Sequence, residues 1–118
     1  MVLSRSATGK TGERLASQYL KTNGYTIVDL NFKVAIGEID IIAKKKGMLH
    51  FFEVKTRRGI KFGSPFEAIT PIKKERIRRV AEWFLMKHRQ TKMPCLFGVI
   101  GIDLSKEPPD ISCLVDAF

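Results

Sequence analysis

Two short segments carry residues whose types and spacing could do chemistry together. The first is Gly37-Glu-Ile-Asp-Ile-Ile-Ala43 and the second is Phe52-Glu-Val-Lys-Thr-Arg57. Both are apolar and read as strands, with Lys44-Lys-Lys-Gly47 as the turn. In a hairpin closed on Lys46-Gly47, residues pair when their numbers sum to 93. Asp40 then lies opposite Glu53, and Glu38 opposite Lys55. Directly opposite side chains have Cβ atoms about 4.5–5.5 Å apart. Two carboxylates that close repel each other unless a proton or a cation intervenes. A hard divalent cation, Mg²⁺ or Mn²⁺, suits such oxygen donors.

The same hairpin allows a plainer reading, a solvated face with a Glu38–Lys55 ion pair, and a one-residue slip would break the alignment. Two features favour chemistry. Asp40 and Glu53 interrupt apolar strands, where a lone charge costs free energy. Glu53 and Lys55 also share a face, with Leu49 and Phe51, because strand side chains alternate.

The surrounding elements must position these groups. A helix is predicted over Thr11–Thr22, with Leu15, Ala16, Tyr19 and Leu20 as its apolar stripe. Asn23-Gly24 stops it, and residues 1–10 are expected to be loose. Glu13 sits at the edge of the stripe. Strands follow over residues 25–32, 37–43 and 48–55, as an antiparallel meander. After a loop over Arg57–Ile69, Thr70 caps a second helix with Pro71 at its first position. Ile77, Val80, Ala81, Phe84 and Leu85 form its buried stripe. Lys73 lies four residues before Ile77, an odd place for a lysine unless it snorkels or reaches a site. The apolar run Leu96–Ile102 suits a strand buried on both faces and implies a parallel pair through a right-handed crossover. A short edge strand over 111–115 ends the fold. The expected class is α/β, in the order α-β-β-β-α-β-β, a mixed sheet with a helix on each face or both helices flanking it.

With 118 residues, the chain has room for one domain. No apolar run is long enough to span a membrane, and the N-terminus lacks an apolar signal core. Cys95 and Cys113 have neither CxxC spacing nor nearby histidines, which argues against a zinc site or a disulfide framework and for a reducing cytoplasm. The formal net charge is +9, and residues 55–92 alone carry +9. Within them Lys61, Lys74, Arg78 and Arg79 join Arg57, Arg58 and Lys73 as candidate nucleic-acid contacts, since such a field favours a polyanion. A solvated, solubilising face is the alternative.

The Asp40…Glu53-Val-Lys55 pattern resembles the signature of the PD-(D/E)xK nuclease superfamily. The chain is also similar to the YraN family of small bacterial proteins through Gly12-Glu13-Arg-Leu-Ala16, Asn23-Gly-Tyr25, Asn31, Gly37–Ala43, Phe52–Arg57, Phe62-Gly-Ser-Pro65 and Lys73. That resemblance covers about residues 8–102 and implies a restriction endonuclease-like core, similar to Holliday junction resolvases. It also implies a Mg²⁺-dependent endonuclease acting on DNA, with branched or flapped DNA as candidate substrates, RNA as a further one, and a homodimer. Asp40, Glu53 and the Val54 carbonyl would hold the metal, completed by Glu13. Lys55 would orient the attacking water or stabilise developing charge. Glu38 would support the site from behind or form an ion pair. Arg57, Arg58 and Lys73 would contact backbone phosphates, which position without reading sequence. One departure is Leu96-Phe97-Gly98, where family members often carry Arg-Phe-Asp.

Two other function classes fit the same residues: a non-catalytic nucleic-acid-binding module that keeps a nuclease fold, and an interaction protein whose basic face binds an acidic surface. His50 and His88 read as structural or helix-end groups, and Trp83 and Phe84 as core or interface. Phe62 and Phe66 could stack on an unpaired base or anchor their loop.

Overall fold

A computed structural model describes residues 5–59 and 69–118. The elements run α1 (Arg5–Thr22), β1 (Thr26–Val34), β2 (Gly37–Lys45), β3 (Met48–Arg57), α2 (Pro71–Lys87), β4 (Cys95–Asp103) and β5 (Asp110–Leu114). This is the predicted order. The first helix begins at Arg5 rather than Thr11, so part of the segment expected to be loose is helical. Lys61, Phe62 and Phe66 lie outside the described residues.

The five strands form one mixed sheet in the order β1-β2-β3-β4-β5. β1, β2 and β3 are antiparallel neighbours, β3 and β4 are parallel, and β5 closes an antiparallel edge. The parallel pair follows from the α2 crossover, because a helix must carry the chain back across the sheet.

One helix covers each face. Ala16 and Leu20 of α1 pack on Ile41, Ala43, Phe52, Ile100 and Ile102. Ile77, Val80, Ala81 and Phe84 of α2 pack on Phe32, Ile39, Ile42, Leu49 and Phe51. The central strands are therefore apolar on both sides, which is why β2 and β4 read as continuous runs rather than alternations. His50 is a buried aromatic of the α1 layer, stacked on Phe52 at 5.7 Å and edge-on to Tyr25 at 5.0 Å. Phe84 is core, whereas Trp83 is 56% exposed.

Local chemistry sets the connections. Lys46 (φ 52°) and Gly47 (φ 76°) make a two-residue hairpin turn with both central residues left-handed. Such turns match the right-handed strand twist. The β2–β3 pairs Ile41↔Phe52 and Ile42↔Phe51 confirm the register in which residue numbers sum to 93. Thr70 accepts a hydrogen bond from the Lys73 N–H at 3.2 Å and caps α2 as expected.

Two close approaches require glycine. At Gly12 a Cβ would collide with the Thr56 hydroxyl and come within 2.9 Å of its Cβ, so only glycine lets α1 sit this close to the end of β3. At Gly98 a Cβ would lie 2.7 Å from the Phe52 ring and 2.9 Å from the Leu114 carbonyl oxygen. Gly98 and Phe52 are register partners. The ring thus fills the space where the resemblance placed an aspartate, and this chain has no room for that side chain.

Gly12→Ala should lower unfolding free energy by about 1–3 kcal/mol through overpacking. Thr56→Ala should recover part of the loss in a urea-denaturation double-mutant cycle, and purely additive effects would contradict the contact.

Candidate active site

The site forms where two strands part. The β2–β3 register pairs end at Ile41↔Phe52, and the next residues on each strand are Asp40 and Glu53. The Val54 N–H donates to Asp40 Oδ2 at 2.8 Å, so a side chain replaces the ladder at the fork. Both carboxylates are buried, at 9% and 8% residue exposure. Glu53 lies on the α2 side of the sheet, between the Leu49–Phe51 layer and the N-terminal turn of α2.

Two lysines meet Glu53 there. Lys73 Nζ lies 3.1 Å from Glu53 Oε1, and Lys55 Nζ lies 3.7 Å from the same oxygen. The odd position of Lys73 on the buried stripe is thus explained. Helical side chains tilt toward the N-terminus, so Lys73 projects past the end of the core into the fork.

The electrostatics follow from this crowding. Burial, then the Glu53 carboxylate, pushes Asp40 up to about 7, against the Val54 hydrogen bond; Glu13 and Glu38 add to the rise. Burial and the neighbouring Lys73 pull Lys55 below the ordinary lysine value. Burial also acts against charge on Lys73, but Lys55 as an acceptor, Glu53 and Asp40 outweigh it and hold Lys73 above that value. Of the two amines, Lys55 gives up its proton more readily.

The other predicted residues are distributed unevenly. Glu13 lies on α1 in a groove of about 340 Å³ with Leu30 and Asn31, and its Oε2 accepts from Asn31 Nδ2 at 3.4 Å. It reaches Asp40 through its field, and among the described residues no three His, Cys, Asp or Glu side chains form a ready-made metal cage. Glu38 pairs with Lys33 of β1 at 3.7 Å, not with Lys55, because Lys33 is its register partner and the β2–β3 pairs stop short of it. Val54 enters the site through its N–H. Lys74 and Arg78 lie over the Phe118 ring at 5.9 and 5.7 Å, and Arg79 pairs with Glu75 at 3.6 Å. The basic face of α2 is therefore split between its two flanks. Arg57 ends β3 beside Asp103 of β4, and Arg58 is exposed just beyond.

Two residues outside the predicted set shape the site. Asn31 takes a left-handed φ of 54° inside β1, a conformation asparagine tolerates. Its side-chain amide is the group that donates to Glu13 Oε2. Asp103 Oδ1 accepts from the Gly59 N–H at 2.8 Å and from Ser105, N–H at 2.9 Å and hydroxyl at 2.6 Å. These bonds hold its carboxyl below the usual range, the Ser105 hydroxyl first, and pin the chain just after Arg57-Arg58. The Asp103-Leu-Ser105 spacing is a side-chain turn signal that could have been read from sequence.

The donor set fits a hard divalent cation. Two carboxylates with restricted access to water, one pushed to about 7, gain from a counter-charge. Mg²⁺ binds through one or two carboxylates and keeps several waters, so it does not need a protein cage.

Fold and site define a mixed α/β protein with a buried acid pair and two lysines at the fork of its central strands. A family profile described as "Uncharacterised protein family UPF0102", the family also known as YraN, matches residues 12–102. The chain belongs to that family. It is 38% identical over 118 residues to a UPF0102 protein of Dehalococcoides mccartyi, covering 100% of this chain and 98% of the relative. It is 39% identical over 118 residues to one of Caldicellulosiruptor saccharolyticus, covering 98% and 100%. A third, from Acidothermus cellulolyticus, is 43% identical over 98 residues, covering 83% and 74%. No described helix is long and apolar enough to cross a membrane.

Ionising Asp40 costs the folded chain more than the unfolded one. The penalty is absent below the ordinary value of 3.8, grows as pH rises, and is complete above about 7. Asp40→Asn, whose amide oxygen can still accept from Val54, should therefore stabilise the metal-free chain at pH 8 by about 1–4 kcal/mol and hardly at pH 4. Urea melts at the two pH values check this, and an equal effect at both would contradict the assignment.

Proposed function

We propose that this chain is a divalent-metal-dependent endonuclease that hydrolyses DNA phosphodiester bonds, with branched or flapped DNA as the substrate class. The observation that carries this reading is the buried Asp40–Glu53 pair meeting Lys55 and Lys73 at the strand fork. The likeness of Asp40…Glu53-Val-Lys55 to the PD-(D/E)xK signature supports it.

Each residue has a task. Asp40 and Glu53 hold the cation, joined by the Val54 carbonyl in the superfamily pattern, with Glu13 adding negative field from α1. A bound Mg²⁺ or Mn²⁺ supplies polarisation of the phosphate and a more acidic water. Lys55 is the amine from which a proton departs more easily. It orients the attacking water, accepts its proton, or donates to charge developing on the phosphate. Arg57, Arg58 and Lys73 hold the backbone near the cut, while Lys61, Lys74, Arg78 and Arg79 extend the track. Glu38, tied to Lys33, is a structural ion-pair partner.

DNA ranks ahead of RNA as substrate, with a homodimer where two symmetric cuts are made. Free Cys95 and Cys113 fit a cytoplasmic, reducing setting. The second reading is a DNA-binding module without catalysis, favoured by Lys55 and Lys73 already meeting Glu53 Oε1 at 3.7 and 3.1 Å.

Incubation with Mg²⁺ and linear, nicked, flapped and four-way DNA should give cleavage. Asp40→Ala, Glu53→Ala and Lys55→Ala should each reduce the rate by about 10²–10³-fold. Salt-sensitive DNA binding, indifferent to Asp40→Ala and without cleavage, would establish the second reading instead.

A further inference from the structure

We propose that Lys73 is a tethered counter-cation, which neutralises Glu53 until a divalent cation takes its place and which is then released to hold the substrate phosphate. The inference rests on the reading of Asp40 and Glu53 as metal ligands.

Geometry supplies the argument. Lys73 comes from a different element than either carboxylate, and its ammonium is nearer to Glu53 Oε1 (3.1 Å) than that of Lys55 (3.7 Å). The Lys73 side chain is 38% exposed and that of Glu53 10%, so the lysine reaches inward from the protein surface onto a buried acid. Its stem spans from the cap of α2, where its own N–H is fixed to Thr70 at 3.2 Å. With the backbone anchored, any movement of the ammonium away from Glu53 has to come from rotations in the four-carbon arm.

Charge balance gives the arm its purpose. With Asp40 and Glu53 ionised, the two carboxylates are matched by Lys55 and Lys73. Adding a divalent cation to that set leaves two positive charges in excess. Withdrawal of one ammonium relieves part of that excess, and Lys73, its side chain 38% exposed against 23% for Lys55, is the one on the solvent side. A phosphodiester brought to the site then restores part of the balance and gives the displaced ammonium a partner. Metal and nucleic acid thereby favour each other's binding through one side chain, a coupling that must be reciprocal.

Mn²⁺ is titrated calorimetrically into the folded chain and its variants without DNA. Lys73→Met should bind about tenfold more tightly than the parent, Lys73→Arg should match the parent, and Asp40→Asn should lose binding. In the unmutated chain, the Lys73 ammonium nitrogen should shift in an NMR titration with Mg²⁺ while that of Lys106 stays unmoved, which covers a failure of Lys73→Met to fold. Unchanged or weaker Mn²⁺ binding by Lys73→Met, with binding still lost in Asp40→Asn, would overturn the counter-cation role and leave the metal site standing. If neither the parent nor Lys73→Met binds Mn²⁺, the role of Lys73 falls together with the metal reading.

Discussion

Burial of two like charges side by side is the constraint on which this structure turns. Asp40 and Glu53 sit at the fork of β2 and β3, each less than a tenth exposed. Water cannot screen them well, so the fold must neutralise them by other means. It does so with a backbone N–H, two lysines and a proton affinity on Asp40 raised to about 7. None of these removes the repulsion completely, which is the condition under which a cation adds most.

The architecture serves that fork. The β3–α2–β4 crossover brings the N-terminal turn of α2, and Lys73 with it, over the end of β3. Gly12 lets α1 approach Thr56 on β3, which places Glu13 within reach of Asp40's field from the opposite side. Phe52, next to Glu53, is fixed by filling the gap above Gly98, so the strand bearing the acid cannot shift without opening a hole in the core. Asp103 fastens the chain beyond Arg57 by accepting three hydrogen bonds. Positioning by buried strands and caps, rather than by surface loops, holds the acid pair close despite its repulsion.

Much of this was legible in the residues. Lys46-Gly47 specifies a two-residue turn, and that turn determines which residues face each other down to Ile41 and Phe52. Thr70-Pro71 marks the start of α2 without ambiguity. Lys73 was visible as a charge on an apolar stripe, although only tertiary structure reveals that it meets Glu53. Other features were not legible because they depend on where strands diverge. Once β2 and β3 part after Ile41, opposition no longer means contact, and Glu38 turns to Lys33 instead of Lys55. The stacking of Arg78 on Phe118 depends on the end of the chain folding back to α2, which local pattern does not encode. The helical start at Arg5 is not legible in the sequence because Gly9 and Gly12 weaken the helical signal there.

The same arrangement separates the basic residues into two kinds. Lys55 and Lys73 meet Glu53 of the acid pair, whereas Lys74 and Arg78 lie over the Phe118 ring and Arg79 pairs with Glu75. The most direct test is anomalous diffraction from a crystal of the chain soaked in Mn²⁺. The account predicts a peak coordinated by both Asp40 and Glu53, with Lys73 withdrawn from Glu53. A soaked crystal with no peak there and Lys73 still on Glu53 would contradict it.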